Sequence, residues 1–134
     1  MDLKIILELL GSRRYILTTD EDQPIVQTVR VEFDHIGNLL AIIETTDYED
    51  HDRDSYTIAS VRRSDAVRMA RRLRVPYKKL TDFIADCLCE WGDIVNADFD
   101  QAQACFKEIV ECLIDEGCRL RIRRKYGKGG AMSC

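Results

Sequence analysis

The sequence lacks a long apolar run, and this absence excludes a membrane-spanning helix. The longest uninterrupted apolar stretch is Leu39 to Ile43, whereas a helix needs about 20 such residues to cross a bilayer. The start of the chain has an acid at Asp2 and no small-residue cleavage site, so it does not follow the plan of a secretory signal. We therefore predict a cytoplasmic protein that does not bind membranes.

Histidine is scarce, and no glycine-rich phosphate loop precedes a helix. The 2 histidines are His35 and His51, both in predicted loops, and neither has a nearby serine or cysteine in a nucleophile setting. His51 lies between two aspartates and is the one candidate for a general base. We therefore predict no catalytic residues, no cofactor and no metal, which favours a non-enzymatic protein.

The acidic loop 47–54 is the closest approach to a metal site. Asp50, Asp52 and Asp54 match the first three ligands of a calcium-binding loop. The match ends there, because Ser55 stands where the tight turn needs glycine and Val61 stands where the bidentate glutamate belongs. A solvated connection between strands is the alternative that we prefer.

The composition is that of a globular protein, with 46% hydrophobic and 33% charged residues among 134. The 6 cysteines are expected to be free thiols, since nothing indicates export. Cys87, Cys105 and Cys112 occur within apolar patterns, where a thiol packs as a small hydrophobe.

Residues 1–61 are rich in strand patterns. Alternating apolar and polar residues in 3–9, followed by a Gly-Ser turn, predict a hairpin with residues 13–19, and a short N-terminal helix is the alternative. Residues 25–34 alternate in the same way, and residues 56–61 form a further predicted strand. Residues 39–46 are apolar on both faces, which predicts a central strand beginning with Leu39 to Ile43.

Residues 64–116 have helical periodicity. A short helix is expected to be capped by Ser64 or Asp65 and to bury Val67, Ala70 and Leu73. A second has its apolar stripe at Leu80, Phe83, Ile84, Cys87, Leu88 and Trp91. A third runs from near Asp98 or Asp100 to Glu116 and ends at Gly117.

Residues 118–126 alternate again and predict a strand that returns to the sheet, while 127–134 read as a flexible tail. The chain is therefore predicted to form one α+β domain over residues 1–126. We expect a mostly antiparallel sheet of about five or six strands, with two or three helices packed on one face.

Charge is segregated along the chain. The net charge is −8 over residues 1–59, +7 over 60–80, −9 over 81–117 and +6 over 118–134, which gives −4 for the whole. If the fold brings the two basic blocks (62–79 and 119–128) together, they form one anion-binding face. The residues proposed for it are Arg62, Arg63, Arg71, Lys78, Lys79, Arg119, Arg121 and Arg123.

Two structural explanations compete with that site. The arginines of the last strand could pair across the sheet with acids such as Glu32 or Glu44, or they could protect a sheet edge from aggregation.

Residues 66–84 also resemble a helix-turn-helix segment, with Pro76 to Lys79 opening the second helix. Arg74 replaces the usual turn glycine, and a plain helical hairpin explains the same apolar spacing.

Three functions are consistent with the sequence. The leading hypothesis is an interaction or regulatory domain with a protein partner or self-association. The second is nucleic-acid binding through the basic blocks. The third is an enzyme or small-ligand protein with a site near the acidic loop 47–54.

Overall fold

A computed structural model describes residues 12–87 and 96–126 of the chain. Their elements, in chain order, are β1 (Arg14–Thr18), β2 (Ile25–Phe33), β3 (Leu39–Asp47), a 3-10 turn (His51–Arg53), β4 (Ser55–Val61), α1 (Arg63–Leu73), a second 3-10 turn (Tyr77–Lys79), α2 (Leu80–Cys87), α3 (Phe99–Asp115) and β5 (Leu120–Tyr126). The predicted α+β class is confirmed. The strand predicted over 3–9 and the tail 127–134 lie outside the described residues.

The five strands form one antiparallel sheet in the order β1-β2-β3-β4-β5. The central position of β3 is confirmed, and its apolar residues are buried towards both faces, including Ala41 and Ile42. The predicted return of the last strand is also confirmed, since β5 pairs with β4 from Val61 opposite Leu120 to Ser55 opposite Tyr126.

The helices cover one face of the sheet, towards β1. α2 packs against β1 and β2, and α3 packs against β1, β2 and β3. Alternate side chains of the inner strands, such as Val31, Phe33 and Leu39, are completely buried beneath them. On the same face of β5, Ile122 remains 52% exposed, so the helical layer stops short of this edge.

The predicted cap of α1 is wrong. The helix begins at Arg63, the preceding Arg62 makes no side-chain capping bond, and the amide of Arg63 donates instead to Oδ1 of Asn38 at 3.0 Å. The cap is therefore supplied by the β2–β3 turn, which local sequence does not reveal. The buried face also differs, because Met69 is buried while Val67 is only half-buried.

The predicted apolar stripe of α2 is partly wrong. Leu80 and Ile84 are buried as expected, but Cys87 is exposed. The helix turns Thr81 into the core, where its hydroxyl donates to the carbonyl of Ser12 at 2.6 Å. This rotation moves Cys87 out of the core. Leu88 and Trp91 lie outside the described residues.

The boundaries predicted for α3 are confirmed. Asp98 caps its N-terminus in a reciprocal capping box with Gln101, and Gly117 follows its C-terminus with φ +83°. Cys105 is buried as predicted, whereas Cys112 is exposed. Cys112 lies beyond the edge of the helical stripe formed by Cys105, Ile109 and Leu113 in the core.

Candidate functional site

A row of cations, which we call the basic strip, lies at β5: Arg119 immediately precedes the strand, and Arg121, Arg123 and Lys125 lie on one side of it. The register places them on the face opposite the helices, because Leu120 and Ile122 between them lie opposite Val61 and Ala59, which are buried on the helical face. On β4, the partners of Arg121, Arg123 and Lys125 are uncharged: Ser60, Ile58 and Tyr56. Alternation along β5 therefore places three positive charges on one side of the strand, next to Arg119.

The acids proposed to neutralise this strand are used elsewhere. Glu32 accepts hydrogen bonds from Arg13 at 3.1 Å and from Arg30 at 2.6 Å. Glu44 pairs with Arg30 at 2.5 Å. The predicted pairing of the last strand with Glu32 or Glu44 is therefore wrong, because one strand lies between Glu44 and β5, and two strands lie between Glu32 and β5. Across residues 12–87 and 96–126, no side chain of the basic strip forms an ion pair.

Asp65 joins the start of the basic strip to α1. Its carboxylate, in a residue only 8% exposed, accepts from the amide of Arg119 at 3.1 Å and from Arg68 at 2.5 Å. Val61, the last residue of β4, lies opposite Leu120, the first residue of β5, so Arg62 and Arg119 are the chain neighbours of this pair. The fold thus brings the first residue of one basic block to the start of the other.

The remaining predicted anion-binding residues are not brought to this edge. Arg63 lies over the ring of Tyr77, with its guanidinium carbon 6.0 Å from the ring centroid. Lys79 pairs with Asp82 at 3.8 Å, and Lys78 belongs to the same 3-10 turn, near the β1 side. Arg71 is exposed on α1. Of the eight predicted residues, the fold gathers Arg62, Arg119, Arg121 and Arg123.

In the segment that resembles a helix-turn-helix, the second 3-10 turn joins α1 to α2, and both helices bury residues in the core. Arg74 adopts the left-handed conformation with φ 59° at the turn. The Tyr77 ring packs on Phe33, with 4.8 Å between ring centroids, and its hydroxyl donates to the carbonyl of Gly37. Burial raises the pKa of Tyr77, which keeps this donor protonated.

Both aspartates of α2 pair with an arginine of β1 at the surface. Arg14 of β1 donates to Asp82 at 2.7 Å and to Asp86 at 3.4 Å. These ion pairs hold the helix that would read DNA against β1.

In the acidic loop 47–54, Asp47 and Asp54 accept hydrogen bonds from within the loop. Asp47 accepts from the amides of Glu49 and Asp50, while Asp54 accepts from the amide of Asp47 at 2.7 Å and contacts His51 at 3.0 Å. Among the described residues, no group of three or more histidines, cysteines or acids could hold a metal ion.

The helical face of β5 is a surface that the sequence prediction missed. Ile122 is 52% exposed and Tyr126 is 49% exposed. The available signal was the alternation of Ile122 with arginines along the strand. Because large apolar side chains remain uncovered beside the basic strip, this edge combines charge and apolar area.

Two concavities lie at the end of the sheet that holds the acidic loop. One, of about 430 Å³, is lined mainly by Thr19, Pro24, Ile25, Ala97 and Phe99. The other, of about 160 Å³, lies between β3, β4, β5 and Gln103 of α3.

No known protein-family model matches the chain, and neither a curated protein nor a solved structure is detectably similar to it. None of the helices within residues 12–87 and 96–126 is long and apolar enough to cross a membrane.

Proposed function

We propose that this protein is a non-enzymatic interaction domain that binds an acidic, extended protein segment along the outer edge of β5. The observation that carries the proposal is the basic strip, whose four cations have no carboxylate partner in the described residues. The acids proposed to neutralise them, Glu32 and Glu44, are already paired.

The backbone of β5 supports strand addition. β5 spans seven residues and pairs on one side with β4, while no other described strand pairs with its outer side. An edge strand presents unpaired N–H and C=O groups, which an extended segment can pair with.

The side chains of β5 define what kind of segment fits. An added strand would place alternate residues on the two faces of the sheet. On one face they would meet the basic strip, which favours glutamate or aspartate. On the other they would meet Ile122 and Tyr126 on either side of Arg124, and the two large side chains favour apolar residues. The partner we propose therefore alternates acidic and apolar side chains.

The same charges disfavour pairing between two copies of β5. An antiparallel β5–β5 contact would bring arginines and lysines of both copies onto one face, and like charges directly opposite each other are destabilising. The basic strip thus acts against self-association at this edge and selects a partner of opposite charge.

The test is fluorescence anisotropy with a labelled eight-residue peptide that alternates glutamate and valine. We expect saturable binding that weakens as salt rises and is lost in the double variant Arg121→Glu, Arg123→Glu. The matched control reverses two exposed cations away from the edge, Arg53→Glu and Lys107→Glu, and should retain binding. Equal loss in both double variants would reject the β5 site.

Hydrogen exchange gives a second readout specific to strand addition. The β5 amides that point away from β4 should become protected when the peptide binds, whereas a purely electrostatic contact would leave their exchange unchanged. Binding without this protection would refute the strand geometry.

Nucleic acid is the second candidate, because the basic strip lies beside the half-buried Tyr56 on one face of the sheet. Cations suit phosphates, and an aromatic ring can stack with a base. Labelled single- and double-stranded oligonucleotides in the same anisotropy assay decide between the two. Tighter binding of an oligonucleotide than of the peptide would favour this candidate.

We further propose that the described elements belong to one α+β domain spanning 1–126 that acts in the cytoplasm. Limited proteolysis followed by mass spectrometry tests the domain boundary, since a stable fragment much shorter than residues 1–126 would contradict it.

A further inference from the structure

A small polar cavity opens on the helical face of the sheet, beside the acidic loop. Its volume is about 160 Å³, and its lining is Ile43, Thr45, Ser55, Tyr56, Thr57, Gln103, Arg124 and Tyr126. A water molecule occupies about 30 Å³ in the liquid, so the cavity has room for a group the size of a phosphate or a carboxylate with a few further atoms.

Two cross-strand rows build this cavity. In the first, Thr45 lies opposite Ser55, which lies opposite Tyr126. In the second, Thr57 lies between Ile43 and Arg124. Because paired residues on neighbouring strands point to the same face, the register alone brings the hydroxyls and the guanidinium together. Gln103 of α3 adds an amide from the helical layer.

Several side chains in the cavity can donate further hydrogen bonds. The Thr45 hydroxyl accepts from the Gln27 amide nitrogen at 3.1 Å and keeps its own proton for another acceptor. In the described part of the chain, Ser55 and Thr57 have no side-chain hydrogen bond, and Arg124 forms no ion pair. Next to them, Oε1 of Gln27 is buried without a partner.

We infer that this cavity binds a small oxyanion, a phosphate or carboxylate group of a small molecule. The Arg124 guanidinium supplies the charge and a planar fork of donors, which matches the geometry of both groups. The hydroxyls of Thr45, Ser55 and Thr57 supply neutral donors around it.

The acidic loop sets an upper bound on the ligand's charge. Asp54 precedes Ser55 directly, and its carboxylate, although hydrogen-bonded to the amide of Asp47, still repels anions. Asp47 lies two residues beyond Thr45 on the same face. We therefore expect the cavity to prefer a single oxyanion group over a polyphosphate or a nucleic-acid backbone, which would extend towards these acids.

The test uses inorganic phosphate and acetate as separate probes at constant ionic strength, with chloride as the reference anion. Amide chemical shifts of the protein are followed by NMR up to about 20 mM anion, where millimolar binding is measurable. We expect saturable shifts at Thr45, Thr57 and Arg124. Preference for phosphate indicates a phosphorylated ligand, and preference for acetate indicates a carboxylate; either supports the site.

Substitutions test which side chains of the cavity bind the anion. Arg124→Gln should weaken binding about tenfold, the loss expected for a charge-assisted hydrogen bond. Thr57→Val preserves shape and should weaken it severalfold. The control is Arg121→Gln, on the same strand but the opposite face, which should bind as the parent does.

Two results would overturn the inference. One is the absence of any saturable shift with either anion. The other is an equal effect of Arg121→Gln and Arg124→Gln, which would indicate general attraction to a basic surface. The proposal of an oxyanion site and the proposal of peptide binding at the β5 edge can be refuted separately. Binding of the acidic peptide depends on Arg121 and Arg123, whereas binding of the oxyanion depends on Arg124 and Thr57.

Discussion

Replacing Asp65 tests whether a single buried carboxylate fixes β5 to the first helix. In Asp65→Ala the amide of Arg119 loses its acceptor, and a hydrogen bond to a charged group contributes about 1.5–3 kcal/mol. The lost negative charge in the first turn of α1 adds about 0.3–1 kcal/mol. The contact to Arg68 adds little, because that side chain is 66% exposed. We expect the free energy of unfolding to fall by about 2–4 kcal/mol.

The assay is urea unfolding followed by circular dichroism at neutral pH. Asp65→Asn keeps an oxygen acceptor but removes the charge, so its loss should be about half that of the alanine variant. Asp115→Ala, an acid in the last turn of α3, is the control and should change stability by less than about 0.5 kcal/mol. If Asp65→Ala is as stable as the control, the carboxylate does not anchor β5.

Three further predictions test the turn, the acidic loop and the core. Gly37→Ala should lower the free energy of unfolding by more than about 1 kcal/mol, because φ is +91° there and the new Cβ would lie 2.8 Å from the Tyr77 hydroxyl; urea unfolding equal to that of the parent would refute this. Desolvation raises the pKa of Asp54, but the hydrogen bonds from Asp47 and His51 outweigh it and lower the pKa overall. Its contribution is therefore present at neutral pH and is lost as the pH falls through the folded-state pKa, so Asp54→Asn should be less stable at pH 7 and should lose less stability between about pH 5 and pH 3. An unchanged pH profile would contradict this. Burial raises the pKa of Cys105 to about 12, so brief iodoacetamide treatment at about pH 8 should leave Cys105 unmodified, as read by peptide mass spectrometry, until the protein is unfolded.

Local periodicity was sufficient to predict the strands and most of the helices. The alternation in residues 25–34 predicted β2, and the capping residues Asp98 and Gly117 predicted the ends of α3. Both signals are local, because each depends on residues that are close together in the chain. The predicted central position of β3 succeeded for a related reason, since only a strand covered on both faces has apolar residues on both.

Non-local partners account for the failures. The cap of α1 comes from Asn38, 25 residues earlier, and no pattern around Ser64 could reveal it. Glu32 is paired with Arg13 and Arg30, so its availability to β5 depended on strand order. Cys87 and Cys112 lie at stripe margins, where a small helix rotation decides between burial and exposure.

Only part of the candidate site could be predicted from the sequence. The charge of Arg119, Arg121 and Arg123 was evident, but grouping them with Lys78 and Lys79 required the two blocks to meet, and α1 separates them. The cavity beside Arg124 could not be predicted, because it depends on the register that aligns Thr45, Ser55 and Thr57 across three strands.

The sheet topology has a consequence for the order of folding. The first four strands are joined by short connections, whereas residues 62–119 separate Val61 from its partner Leu120. By the logarithmic dependence of loop-closure entropy on length, closing this segment costs about 2 kcal/mol more than closing a five-residue turn. We therefore expect β5 to join the sheet last and to leave it first. An unfolding intermediate with β5 detached would expose the edge of β4, and β5 from a neighbouring molecule could take the vacated position as a domain swap.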